Sequence, residues 1–166
     1  VPMLLKLYQD ENNVDGVRAA ALQGLHRQVL YGFPYLTADQ KTSLLTVTSE
    51  LLEADPPQGR SADAHAYLQR FAVDILALLR PAQDKTLAVK LVSISTESEK
   101  PDLIALHSAA RLGAMSKELQ GQVDQPEAVL ESWSRRALAA FEAELARFQS
   151  FERPKPAMDQ PTKPES

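Results

Sequence analysis

The sequence predicts an all-α protein of about seven helices joined as hairpins, and three observations carry that expectation. Apolar residues recur every three or four positions in successive segments, the spacing that gathers them on one side of a helix. Aromatic residues make up only 6% of the 166-residue chain, so Leu, Ala and Val must fill the interior. Such a core suits helix on helix better than a sheet, which favours β-branched and aromatic residues. The segments are divided by clusters of Gly, Pro, Asn and Asp, and the connections of roughly three to eight residues are those of antiparallel neighbours.

The segments follow in order. MLLKLYQD is a short apolar helix ended by the turn-forming DENN. Residues 14–30 follow, with Val14, Val17, Ala21, Leu25 and Val29 as one buried stripe, broken by Gly32 and Pro34. Thr37 and Gln40 in TADQ have capping-box spacing for a third helix that buries Leu44, Val47, Leu51 and Leu52. DPPQG stops it.

Ser61 or Asp63 starts a fourth helix with the stripe Leu68, Phe71, Ile75, Leu78 and Leu79, and Pro81 follows its end. Asp84 is the candidate cap of a fifth helix, with Leu87, Leu91 and Ile94 inward. A sixth starts at Asp102 and points Leu103, Leu106, Ala110 and Met115 inward. DQPE opens the longest, whose expected seam is Leu130, Trp133, Ala137, Phe141, Leu145 and Phe148. Residues 1–151 thus form the expected helical domain. The Pro-rich stretch 152–166 has no apolar periodicity and is expected to be a disordered tail.

Self-similarity runs through alternate helices. VRAAALQGL lies over LHSAARLGAM when Arg18 is matched to His107, so that Ala21 meets Ala110 and Gly24 meets Gly113. The middle helix joins through Arg70, and the anchors fall 52 and 37 residues apart. Helical-hairpin repeats with periods near 40–47 residues behave this way when one connection is enlarged.

DGVRAAALQGL and HSAARLGAM resemble the second helix of HEAT-type repeats, an Arg followed by small Ala residues and then Leu-Gly. LAVKLVSISTESEKPDLIALHSAARLGAM resembles one complete unit, and the resemblance extends over residues 1 to about 120. It implies an alpha-alpha superhelix of about three hairpins in which Ala21, Gly24, Ala110 and Gly113 allow close backbone approach. The long last helix would cap the open end. The sequence departs from the pattern at His107, which replaces the usual Arg, and at Phe71 and Asp74, where small residues are expected.

Little in the chain points to chemistry. There is no cysteine, so disulfides, thiolate metal sites and a Cys nucleophile are excluded. His26, His65 and His107 fall 39 and 42 residues apart but do not occupy equivalent repeat positions, and no HExxH surrounds them. They read as surface histidines. No GxSxG elbow, P-loop or dinucleotide fingerprint occurs, so no catalytic residue, metal or cofactor is expected. Arg135 and Arg136 beside Trp133 read as snorkelling cations next to a core indole.

The formal net charge is −4 and the pI about 5.4, against a nucleic-acid-binding role. No run of about eighteen apolar residues is present, so no membrane insertion is expected. The start at Val1-Pro2, without an initiator Met or a signal-peptide layout, reads as part of a longer chain, with other domains of the parent protein expected.

The HEAT resemblance implies a non-catalytic scaffold that offers the face of its second helices to a protein partner. Gln23, Arg27, Asp74 and Arg111 are the candidate contact residues, as positions opposite the apolar stripes. Charge reversal at Arg27 and Arg111 is then expected to weaken binding without lowering the melting temperature. The alternatives are a nucleic-acid-binding HEAT-like module and a structural spacer within a longer solenoid.

Overall fold

The computed structural model describes residues 1–79 and 85–150. It contains α1 Pro2–Gln9, α2 Asp15–Gly32, α3 Ala38–Glu53, α4 Ala62–Leu79, α5 Thr86–Thr96, α6 Asp102–Ala114 and α7 Pro126–Ser150. A 3-10 turn, Phe33–Tyr35, follows α2, and no strand occurs among the described residues. The all-α class is the one the chain adopts. The Pro81 stop, the Asp84 cap and the Pro-rich tail lie outside the described residues.

Local chemistry sets the helix ends. Pro2 and Pro126 occupy first-turn positions, where a missing N–H costs nothing. Thr37 and Gln40 form the reciprocal capping box at the start of α3, and the Ser61 hydroxyl accepts from the Ala64 N–H at 3.1 Å at the start of α4. Gly59, in the turn between those helices, has φ +86°, a backbone shape that strains any residue with a Cβ.

Packing follows a regular order. α1 pairs with α2, α3 with α4 and α5 with α6, and α4 also packs against both α2 and α6. The first helices of the three hairpins scarcely touch one another. α4 lies at the centre and is buried on nearly all sides, Leu68, Ala72, Val73 and Ile75 being almost fully enclosed. Leu22 and Leu25 of α2, Leu44 of α3, Leu91 of α5 and Ile104 of α6 complete the interior. Each such side chain contributes about 1.5–3 kcal/mol relative to an exposed one.

The stripes of α3 and α5 are buried as expected, as is that of α4 apart from the partly covered Leu78. Three others differ. On α2, Ala21, Leu25 and Val29 are buried, but Val14 and Val17 are exposed. Arg18 already lies level with the last turn of α1, so residues before it stand beyond that helix. On α6 the buried face is Ile104, Ala105, Ser108 and Leu112, while Leu103 and Ala110 are exposed. His107 and Arg111, four residues apart, are both drawn to Asp74 of α4, which sets the rotation of α6. On α7 the expected seam is largely exposed, and the helix docks instead through Val129, Ser132 and Arg136.

The glycines also divide. A Cβ on Gly24 would lie 3.0 Å from Leu4 Cδ1, so its bare backbone admits the side chain of the paired helix α1. A Cβ on Gly113 would meet nothing within 4 Å. Close approach therefore explains Gly24 within its own hairpin and does not explain Gly113 or the exposed Ala110.

Candidate functional site

A helix ends with four carbonyls that lack intrahelical partners, and in each hairpin the first helix receives help from a later one. At α1, Arg18 Nε donates to the Tyr8 carbonyl at 2.9 Å, and Asn13 Nδ2 donates to the Leu7 carbonyl at 2.9 Å. The Arg18 guanidinium also lies over the Tyr8 ring, 5.1 Å from its centroid. At α3, Gln69 Nε2 donates to the Leu51 carbonyl at 3.1 Å, and His65 Nε2 meets the Ala54 carbonyl at 2.9 Å. At α5, Ser132 Oγ donates to the Ser95 carbonyl at 2.7 Å, and Arg136 donates to the Lys100 carbonyl at 3.0 Å and to the Glu97 carbonyl.

Two expectations are corrected here. His65 is buried, not a surface histidine, because its ring serves that carbonyl. Arg136 does not snorkel beside a core Trp. It is itself buried among carbonyls, whereas Trp133 is 46% exposed.

A second polar constellation joins the second helices. Asp74 is buried, and its Oδ1 accepts from His107 Nε2 at 2.7 Å and from Arg111 Nε at 2.6 Å. Burial acts to raise the Asp74 pKa, but the hydrogen bonds from His107 and Arg111 and their charges outweigh it and hold the carboxyl below its ordinary 3.8. His26 of α2 lies within the field of this group. Burial lowers its pKa below 6.5, opposed by Asp74 and reinforced by Arg111, Arg27 and His107.

Of the four residues expected to form a partner face, the structure joins Asp74 and Arg111 directly. Gln23 and Arg27 are exposed on α2. Arg27 shares the electrostatic neighbourhood of the other two through His26. Asp74 is not an outward contact residue, since its carboxylate is turned into the α4–α6 seam. Its clue in the sequence is the departure from a small residue at that point of the repeat.

An open depression of about 640 Å³ lies where α1, α2 and the α3–α4 connection meet, lined by Tyr8, Asp15, Arg18, Glu50, Arg60 and His65. Two of its charges, Arg60 and Asp15, close on each other. Arg60 Nε donates to Asp15 at 2.9 Å, and this hydrogen bond is the main reason the Asp15 carboxyl titrates below its ordinary value. Burial lowers the His65 pKa and raises that of Tyr8.

Chemically, Asp15 and Asp74 are neutralised by cations, and Arg18 and Arg136 are engaged with carbonyls. An acid–imidazole pair does nucleophilic work only with a hydroxyl or thiol held in reach of the ring. The Asp74 oxygen that meets His107 is shared with Arg111. Among the described residues no group of three or more His, Asp or Glu side chains converges as a metal site would. No helix is long and apolar enough to cross a membrane among the described residues.

No family model, curated protein or solved structure matches this chain.

Proposed function

We propose that the chain is a HEAT-like helical-hairpin scaffold without catalytic activity, which binds a protein partner through the outward side of α2 and α6. The observation that supports this reading best is the packing order. Each second helix rests on its own first helix and on the second helices of adjacent hairpins, as expected of stacked repeats. Such stacking leaves a row of side chains from consecutive second helices on one side of the molecule. Arg27 and the partly exposed Arg111 place cations in that row, around an Asp74 that is already neutralised.

The test is capture of partners from a nuclease-treated lysate of the native cells, comparing wild type with Arg27→Glu and with Ser43→Glu on the exposed side of α3. A protein retained by wild type and Ser43→Glu but lost with Arg27→Glu supports the reading. Equal retention by all three contradicts the assigned face.

A further inference from the structure

α7 is anchored at one end only. Val129, Ser132 and Arg136 are buried against α5 and α6, yet every residue from Leu138 to Gln149 is exposed. Isolated helical segments of that length are marginal in water, because few hydrogen bonds offset the cost of ordering the backbone. The helix is also strongly apolar along one line. Leu130 is 65% exposed, Phe141 67% and Phe148 66%, with Trp133, Leu138 and Leu145 about half exposed. At about 150–250 Å² for each aromatic side chain, the uncovered stripe is on the order of 600 Å², at the upper end of what a monomer displays.

The geometry points to a second copy of this chain as the occupant: we infer that two α7 helices pair antiparallel along Leu130, Trp133, Ala137, Phe141, Leu145 and Phe148. The stripe advances eighteen positions in five steps, the α-helical period, so it runs straight along the axis. Its spacing reads the same from either end. A two-fold axis at residue 139 sets Leu130 opposite Phe148, Trp133 opposite Leu145, and Ala137 opposite Phe141. At the centre the smallest side chain of the row faces one of the largest, as interdigitation requires.

A separate feature lies at the end of this seam. An apolar groove of about 360 Å³ opens between α6 and the start of α7, lined by Leu112, Gly113, Leu119, Val123, Val129 and Leu130. Leu130 belongs to both the groove and the stripe, so the partner's Phe148 arrives at the groove mouth. The unsupported end of each α7 thus lies along the anchored half of the other. Pairing removes on the order of 1,200 Å² from water before the groove is counted, the lower bound for a stable interface. This inference does not depend on the partner face of α2 and α6.

Sedimentation equilibrium of the full chain tests it. The expected mass is twice 18.3 kDa, and Phe141→Glu weakens self-association by at least about 100-fold. Phe141 is exposed in the single chain, so circular dichroism of the variant should retain the helices of the body. Trp133 is the only Trp in the chain, and its emission should shift to the red as the wild-type dimer is diluted apart.

The chain lacks cysteine, which allows a test of direction. Leu130→Cys and Phe148→Cys proteins, unfolded together and refolded, should form a disulfide-linked dimer under mild oxidation that neither forms alone. A wild-type monomer at all concentrations, a dimer unaffected by Phe141→Glu, or each cysteine variant cross-linking to itself would overturn the proposal.

Discussion

Arg111 reaches back across the α4–α6 seam to Asp74, 2.6 Å from Nε to Oδ1, on the same oxygen that His107 holds at 2.7 Å. The pair is one residue on each of two consecutive second helices, so it fixes both the spacing of the hairpins and the rotation of α6. Asp74→Asn keeps the shape and removes the charge, leaving Arg111 without its counter-ion in a half-buried setting. The expected loss is about 2 kcal/mol, below the usual cost of breaking a fully buried pair because Arg111 retains solvent. Urea denaturation measures it. Arg111→Glu should destabilise as well, through repulsion from Asp74, so reversal at this position cannot leave the melting temperature unchanged as the sequence suggests.

The two repeat glycines should respond in opposite directions. Gly113→Ala adds helix propensity in open space and should stabilise by about 0.5–1 kcal/mol. Gly24→Val adds a branched side chain where even a Cβ would meet Leu4 at 3.0 Å, and should destabilise by about 1–3 kcal/mol. Thermal melts of the two variants decide between this account and one in which both glycines serve helix stacking.

Ile75 lies on the central helix with no exposed surface. Ile75→Ala should cost about 2–5 kcal/mol, through lost transfer energy and the cavity left in the core. Chemical denaturation would show a small effect only if α4 were peripheral.

Acid should weaken the fold in two stages. Burial lowers the folded pKa values of His26 and His65 below 6.5, so the native state disfavours their charged forms. Their contribution is complete above pH 6.5 and declines as the pH falls through the folded values, because the unfolded chain takes up protons first. Asp74 follows the same sign at lower pH. Its contribution persists below the ordinary 3.8 and disappears only as the pH passes through its lowered value. Unfolding free energies measured across this range should fall below pH 6.5, and the double variant His26→Gln, His65→Gln should flatten that first decline.

Much of this architecture is legible in the residues. The Thr37–Gln40 capping box, the stops at DPPQG and YGFP and the inward faces of α3 and α5 follow from local rules, and the structure reproduces them. The failures share a physical origin. Apolar periodicity locates a stripe but does not say whether anything lies opposite it, so Val14, Val17 and the α7 seam appear as core although no described neighbour covers them. On α6 a long-range ion pair overrides the apolar pattern. Gln69, His65 and Arg136 carry no local signature of their role, because the carbonyls they serve lie 18, 11 and 36 residues away in sequence.

The scaffold reading rests on the side of the molecule that a partner occupies, and site-specific photo-crosslinking measures this most directly. A photoreactive residue placed at Gln23 or at Arg27, and separately at Ser43 on the exposed side of α3, is irradiated in native lysate. The account predicts a discrete cross-linked protein from positions 23 and 27 and none from position 43. Equal cross-linking from all three positions, or none from positions 23 and 27, would contradict it.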